Sequence, residues 1–197
     1  MVGGTLRTRV GYIPRAPRPG IHVMKVIVIG DRELWQLPVG RHNVTVMPPV
    51  HLPRQPHRGC YEAHRAAWRA LDGETLIIED DAIVDRIPIT PGGCDVHYLG
   101  GQPIGWRPRT GTHPVAGCDM LARSHAYIVC TDRARDALLV TSWTGAAWDT
   151  WITWRAGLQV SLTWPPTAGQ ASGLSLCTGI VEPERWFCPT LDRKVRT

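Results

Sequence analysis

Hydrophobic residues in this chain fall into short runs, separated by segments rich in glycine, proline and charged residues. The runs KVIVIG (25–30) and TLIIE (75–79) are continuous and rich in β-branched residues, which is typical of strands covered on both faces. The segment NVTVM (43–47) alternates and predicts another strand. Three later segments are also predicted to be strands: DVHYLG (95–100), HAYIVC (125–130) and LQVSLTW (158–164).

Three segments between these strands are predicted to be helices: 60–71, 131–140 and 145–157. In the first, five apolar residues share one face: Cys60, Ala63, Ala67, Trp68 and Leu71. Thr131 is the predicted N-cap of the second. Strands that alternate with helices predict an α/β fold with a Rossmann-like, mostly parallel sheet flanked by helices.

The chain is predicted to consist of an arm and one domain. Residues 1–24 are basic and rich in proline and glycine, whereas residues 25–197 hold all the predicted elements and form a single domain. Residues 48–59 are predicted to be a loop because of their prolines. Residues 100–117 are predicted to be a long loop, and long loops in compact domains are often functional.

The composition is that of an ordinary globular protein, with 43% hydrophobic and 20% charged residues. The formal net charge of +5 permits a polyanionic partner. No apolar run reaches the roughly 18–20 residues of a membrane span, and the N-terminus lacks the apolar core of a signal peptide. We therefore expect a cytoplasmic protein, in the host cytoplasm if a phage encodes it. The six cysteines form no CxxC pair and no tight cluster with histidine, so their spacing predicts no zinc site.

The predicted strand 75–79 ends on three consecutive acids, Glu79, Asp80 and Asp81, which we call the acidic triplet. In an open α/β sheet, ligands bind beyond the carboxyl ends of the strands. Adjacent carboxylates repel one another unless a cation or hydrogen-bond donors compensate them, and Mg²⁺ or Mn²⁺ prefers oxygen ligands. Taken alone, the acidic triplet is better explained as a surface turn after a strand, with Asp81 capping the segment that follows.

Several motifs accompany the acidic triplet in a fixed order. Gly59-Cys60, His64 and Trp68 precede LIIEDDA (76–82). Four segments follow: DVHYLGG (95–101), SHAYIV (124–129), WDTWI (148–152) and PPTAGQASGLS (165–175). Together they resemble glycosyltransferase family 25, which includes lipopolysaccharide-type sugar transferases and collagen galactosyltransferases. The resemblance extends from about Lys25 to Ser175, and its most specific part is the block from Gly59 to the acidic triplet.

The resemblance implies a GT-A fold and the inverting transfer of a hexose from a nucleotide sugar, UDP-linked by analogy with the family. The acidic triplet matches the family's DxD-like motif. Glu79 and Asp81 are then expected to hold Mn²⁺ or Mg²⁺ against the donor diphosphate, and Asp80 to contact the metal or the ribose. Such an ion neutralises the charge that develops on the departing nucleoside diphosphate.

Five further positions are implied donor contacts. Asp31 is expected to bond the base or ribose and Arg32 the diphosphate, since both follow the first strand. His125 is expected to contact the sugar or diphosphate, and Gln170 and Ser172 lie in a polar loop that matches the family only loosely. The alternatives are a surface turn at 31–32, a core histidine and a solvated loop.

The resemblance makes Asp149 the expected catalytic base, because an inverting transferase needs one group to take the acceptor proton. The alternatives for Asp149 are a helix cap and an exposed acid on a helix. His64 also matches the family's histidine, but the residue before it is Ala63 instead of the usual serine. We therefore interpret His64 first as a hydrogen-bonded, half-buried residue on a helix face.

The acceptor is inferred from charge. Arginines are frequent in the N-terminal arm, in residues 54–69 and at the C-terminus, a pattern that suits a polyanion. We therefore hypothesise that the acceptor is a 5-hydroxymethylated pyrimidine in double-stranded DNA, as in bacteriophage DNA modification, which requires extrusion of the base. The alternatives are a lipopolysaccharide-type saccharide acceptor, and a non-catalytic nucleic-acid-binding module on the same fold.

Overall fold

A seven-stranded sheet forms the centre of the protein, and its inner strands are the apolar runs of the sequence. The computed structural model describes residues 24–31, 35–38, 42–115, 120–123, 125–143, 145, 149, 152, 157–174 and 181–182. In chain order the described elements are β1 (Lys25–Ile29), β2 (Asn43–Met47), α1 (Pro56–Arg69), β3 (Thr75–Glu79), β4 (Ala82–Val84), β5 (Val96–Tyr98), β6 (Gln102–Ile104), β7 (Gly111–Val115), β8 (Met120–Ala122), β9 (Ala126–Val129), α2 (Asp132–Val140), β10 (Val160–Trp164), β11 (Ala168–Gln170), β12 (Gly173–Leu174) and β13 (Val181–Glu182).

The strand order of the central sheet is β2-β1-β3-β9-β5-β10-β7. Strand β1 is parallel to β2 and β3, and β5 is parallel to β10. Strand β9 is antiparallel to β3 and β5, and β7 is antiparallel to β10. Five strands therefore run in one direction and only β9 and β7 oppose them, which confirms the predicted α/β class and mostly parallel sheet.

Both faces of the inner strands of the central sheet are buried, whereas the edge strands β2 and β7 are mostly exposed. Alternate residues of the strands point to opposite faces, so Ile27 and Ile77 contact one cluster while Val28 and Ile78 contact the other. Each such aliphatic side chain, fully buried, contributes about 1.5–3 kcal/mol of transfer free energy. Among the described residues, both α1 and α2 pack on the first face, whereas the second face is covered by the β4–β11 pair and residues 35–37.

The first backbone N–H groups of a helix have no partner within the helix, and each helix here begins with a residue that meets this condition. Helix α1 begins at Pro56, so the predicted loop 48–59 was wrong for its last four residues; proline is accepted in a first helical turn because its missing N–H needs no partner there. Helix α2 begins after Thr131, whose side chain accepts a hydrogen bond from the Ala134 backbone N at 3.1 Å. The predicted N-cap is confirmed.

The predicted long loop 100–117 was wrong, because it contains β6 and β7. Strand β7 reads Gly-Thr-His-Pro-Val, which has neither alternation nor a continuous apolar run. It forms because the edge of β10 lies beside it, and Pro114 is acceptable there since an edge strand has N–H groups that need no ladder partner.

Two other predictions fall largely outside the described residues. The arm, residues 1–24, is described only at Met24, which packs against the second core cluster. The helix predicted for residues 145–157 is described only at four separate positions, of which residues 149 and 152 are helical. None of the helices in the described part of the chain is long and apolar enough to cross a membrane.

A buried carboxylate ties three elements together at the edge of the sheet where β5 begins. Asp95 accepts hydrogen bonds from Thr131 Oγ1 at 2.6 Å, from the Gln159 backbone N at 2.8 Å and from the Arg133 guanidinium. Burial raises the pKa of Asp95, but these donors and the Arg133 charge outweigh burial and hold the pKa below its ordinary value. The ionised form therefore fastens α2 and β10 to β5.

Replacing this carboxylate is expected to remove a pH-dependent part of the stability. Because the folded pKa of Asp95 is depressed, its contribution is complete above the ordinary carboxyl value and is lost as the pH falls through the folded value. Asp95→Asn should lower the urea midpoint at pH 7, and the gap to wild type should narrow below pH 4. Asp136→Asn, an exposed acid in α2, is the control; equal pH dependence of all three proteins would contradict the role of Asp95.

Candidate metal centre

The acidic triplet lies at the carboxyl end of β3 and is not a surface turn. Asp80 and Asp81 are only 5% and 4% exposed, although they form the turn between β3 and β4. Glu79 is the last residue of β3 and its side chain is 25% exposed. Burying carboxylates costs free energy unless donors or cations compensate them, so the neighbours of these three residues decide what the site can do.

Two histidines enclose the Glu79 carboxylate. His125 Nδ1 donates to Oε2 at 2.6 Å, and His64 Nε2 lies 3.3 Å from Oε1. Burial raises the pKa of Glu79, but the charge and hydrogen bond of His125, with a smaller contribution from His64, lower it far below its usual range. Burial likewise lowers the pKa of His125, yet the Glu79 carboxylate outweighs burial and raises it. Glu79 is therefore ionised at neutral pH and presents a negative charge beside His125.

Asp81 lies on the other side of His125. Its Oδ1 is 3.9 Å from His125 Nδ1, and single ligand atoms of Glu79, Asp81 and His125 all lie within 4.8 Å of one another. The two residues that the resemblance assigned to the metal thus converge, together with a histidine that it assigned to the donor. The carboxylate oxygens of Glu79 and Asp81 suit Mn²⁺ or Mg²⁺, while His125 Nδ1 holds the Glu79 carboxylate.

Gln170 is buried in strand β11, so the loop predicted for it was wrong, and this strand brings it to the acidic triplet. Strand β11 pairs with β4, with Gln170 opposite Ala82, and Gln170 Nε2 donates to Asp81 Oδ2 at 3.1 Å. Gln170 Oε1 is buried and has no hydrogen-bond partner within the described part of the chain. This oxygen beside Asp81 adds to the fit for a hard cation, which prefers oxygen ligands. Ser172, two residues further on, is exposed.

Asp80 faces the opposite way, towards the end of β1. Ile29 is the register partner of Glu79, and Asp80 Oδ2 accepts a hydrogen bond from the Asp31 backbone N at 3.2 Å. Gly30 between them has φ +134°, and a Cβ there would lie 2.2 Å from the Asp80 carboxylate. Asp80 therefore fixes the β1 loop that carries the exposed Asp31, whereas Arg32 lies outside the described residues.

Asp149, the predicted base, holds the turn that leads into β9. It is 8% exposed, and its Oδ2 accepts a hydrogen bond from the Arg123 backbone N at 2.6 Å. Arg123 has φ +58°, a left-handed conformation that a non-glycine residue adopts at some cost. His125 follows two residues later, and its own backbone N donates to the Arg123 carbonyl at 3.1 Å. Asp149 thus helps to place His125 at Glu79.

Sequence reasoning missed the group of side chains behind Glu79. Cys60 Sγ lies 3.8 Å from Glu79 Oε1, and His64 Nδ1 lies 2.8 Å from the Tyr127 hydroxyl, which also accepts a hydrogen bond from Trp68 Nε1 at 2.9 Å. His64 is hydrogen-bonded as we expected, but it is buried instead of half-buried. The available signal was the spacing of Cys60 and His64, one helical turn apart; their contact with β3 depends on how α1 packs.

Comparisons with known proteins add little to this geometry. No model of a protein family and no curated protein matches the chain. Among solved structures, the chain is similar to the crystal structure of A197 from STIV, with a TM-score of 0.44 and 11% identity, over 83% of this chain and 95% of that one. A likeness at this level carries no conclusion about function, so the site is interpreted from its own contacts.

Gly30 is predicted to be required for the position of Asp80. Gly30→Ala should destabilise the protein by more than the roughly 0.4–1 kcal/mol typical of backbone substitutions, because the new Cβ clashes with the carboxylate. Gly73→Ala is the matched control: it also has a positive φ, +78°, but nothing lies within 4 Å of the added Cβ. Urea denaturation of both variants measures the difference, and equal losses of stability would contradict the proposed clash.

Proposed function

We propose that the protein is a metal-dependent glycosyltransferase of GT-A type that transfers a hexose from a nucleotide sugar, with UDP as the nucleotide by analogy with family 25. One observation carries the proposal. Ionised Glu79 and buried Asp81 converge with His125 and Gln170 at the carboxyl end of β3, beside the β1 loop that bears Asp31. In open α/β sheets this edge is where nucleotides bind.

In this proposal Glu79 and Asp81 hold Mn²⁺ or Mg²⁺. A bound ion of this kind supplies neutralisation of the diphosphate charge that develops as the sugar departs. His125 fixes the Glu79 carboxylate through its short hydrogen bond, and Gln170 fixes the Asp81 carboxylate. The protein thus orients both carboxylates before the donor arrives, which lowers the cost of reorganisation during the reaction.

The nucleotide is assigned to the neighbouring loop. Asp31 is exposed just after β1, and in this proposal its carboxylate accepts hydrogen bonds from a ribose or base. Asp80 stays with the loop backbone, so we assign it the positioning of Asp31 before any contact with ribose or metal. The proposal keeps three further contacts with the nucleotide sugar. They are made by Arg32, His125 and Ser172.

Asp149 is proposed as the base that takes the proton of the acceptor hydroxyl. The hydrogen bond from the Arg123 backbone N orients its carboxylate, and burial keeps bulk water from it. The same hydrogen bond gives Asp149 a role in holding the turn before His125. Loss of activity in a variant must therefore be compared with loss of stability.

The acceptor is proposed to be a 5-hydroxymethylated pyrimidine in DNA. Arg54 and Arg58 are exposed at the start of α1, the end of the helix that carries Cys60 of the site. Exposed arginines at this end of the helix suit a phosphate backbone. A bacterial saccharide acceptor and a non-catalytic DNA-binding module are the competing functions.

Donor turnover is the direct test. With Mn²⁺ present, the wild type should release UDP from at least one UDP-hexose, and Asp81→Asn should reduce the rate about 10²- to 10³-fold, the loss typical of one group that stabilises transition-state charge. Asp149→Asn should reduce transfer strongly. Asp85→Asn, an exposed acid after β4, should retain full activity.

Each remaining outcome of that assay has a clear meaning. Turnover that modified DNA does not stimulate would keep the transferase and direct the search to saccharide acceptors. Failure of a folded protein to turn over any nucleotide sugar, with or without metal, would overturn the transferase and favour the non-catalytic module.

DNA binding is expected to depend on the exposed arginines at the start of α1. Arg54→Gln with Arg58→Gln should weaken binding to a duplex that contains 5-hydroxymethylcytosine. The slope of log affinity against log salt concentration should also become shallower, by about one unit for each phosphate that the variant no longer neutralises. Arg135→Gln on α2, whose side chain is already paired with Asp132 and Asp136, is the control. Identical affinities of all three proteins at moderate salt would argue against this surface as the DNA site.

A further inference from the structure

A second group of metal-ligating atoms lies on the inner side of Glu79, away from Asp81. Cys60 and His64 are four residues apart in α1, so their side chains stack on the same face of the helix, and that face meets the end of β3. Ligand atoms of Cys60, His64 and Glu79 all lie within 4.8 Å of one another. The proposed transferase uses neither Cys60 nor His64.

The separations match a single small ion. Glu79 Oε1 lies 3.8 Å from Cys60 Sγ and 3.3 Å from His64 Nε2. Ligand atoms that bind one tetrahedral Zn²⁺ at about 2.0–2.3 Å lie about 3.3–3.8 Å from one another. By contrast, His125 Nδ1 and Glu79 Oε2 are 2.6 Å apart, which is a direct hydrogen bond with no room for an ion between them.

The donor chemistry differs from that of the outer group. A thiolate, an imidazole and one carboxylate oxygen suit Zn²⁺ or Co²⁺ and disfavour Mg²⁺, which requires oxygen ligands. Glu79 divides its two oxygens between the groups: Oε1 faces Cys60 and His64, and Oε2 faces His125. A metal on the inner side therefore leaves Oε2 with the outer group.

The ring of His64 is already held in a ligand-like orientation. Its Nδ1 lies 2.8 Å from the Tyr127 hydroxyl, and Trp68 Nε1 donates to the same hydroxyl at 2.9 Å. In the tautomer that carries the proton on Nδ1, this contact orients the ring and leaves the lone pair of Nε2 directed at Glu79. Metal-binding histidines commonly use their second nitrogen in this way.

We propose that Cys60 Sγ, His64 Nε2 and Glu79 Oε1 form a binding site for a zinc-class ion, separate from the Mn²⁺ or Mg²⁺ position at Asp81. Binding releases the Cys60 thiol proton to solvent, since the thiolate is the ligand. Three protein ligands leave one coordination position for water or another small donor, as in zinc sites that are not purely structural.

Spectroscopy with Co²⁺ tests the site without any donor or acceptor, so its result does not depend on the transferase. Co²⁺ added to metal-free protein should give the near-ultraviolet thiolate-to-Co²⁺ charge-transfer band and the intense visible bands of a tetrahedral ion. Cys60→Ser should remove the charge-transfer band. Cys94→Ser, which changes a different free cysteine, and Asp81→Asn should both retain it.

A second measurement distinguishes loss of the metal site from misfolding of a variant. Zn²⁺ should raise the thermal midpoint of the wild type, and the rise should be absent in both Cys60→Ser and His64→Gln if their metal-free far-ultraviolet spectra match the wild type. No charge-transfer band in the wild type, or a band that persists in Cys60→Ser, would overturn the proposal. His64 would then act only as a hydrogen-bond partner that positions Glu79.

Discussion

The enclosed carboxylate of Glu79 is the constraint on which the site depends. A strand as apolar as β3 ends on an acid whose two oxygens are each engaged, one by His125 and one by the side of α1 that bears Cys60 and His64. Without those partners, a carboxylate in this position would carry the free-energy cost of burial without compensation. The reversed direction of β9 supplies the first partner: because β9 runs antiparallel to β3, the residue before β9 meets the residue that ends β3.

The other two acids of the acidic triplet contact different neighbours, because adjacent residues in the turn after β3 point in different directions. Asp80 points to β1 and accepts a hydrogen bond from its loop, whereas Asp81 points to β11 and accepts one from Gln170. The parallel pairing of β1 with β3 places the first loop beside the acids, and the β4–β11 pair places the last loop beside them. Three segments distant in sequence, namely the β1 loop, the acidic triplet and β11, therefore bring polar groups to a single edge of the sheet.

The buried carboxylates at the two edges of the sheet, Asp95 and Glu79, are compensated by different kinds of partner. Where β5 begins, the Asp95 carboxylate is compensated by the Arg133 guanidinium and by neutral donors. These hydrogen bonds hold α2 and the residue before β10 against β5. Where β3 ends, histidines take the place of arginine. A histidine can both compensate a carboxylate and leave a metal-ligating nitrogen, which a guanidinium cannot do. The end at β3 is thus the end with coordination chemistry, in agreement with the general position of ligands in α/β sheets.

The sequence by itself determined the central strands and the location of the acids. Strands β1, β2 and β3 were predicted at or within one residue of their observed ends, because short runs rich in β-branched residues favour extended backbone and are typical of strands. The position of the acidic triplet beyond β3 followed from the same local pattern. The roles of its members, and those of His125 and Gln170, came from the resemblance to a family.

Tertiary structure alone decided the rest. Strand β7 exists because β10 offers it an edge, and nothing in its own five residues marks it as a strand. The pairing of Asp80 with the β1 loop and the meeting of Cys60 and His64 with Glu79 join residues 15 to 49 positions apart in the chain. Such contacts depend on strand register and on how a helix face docks, and these are set by the packing of the whole core instead of by any segment within it.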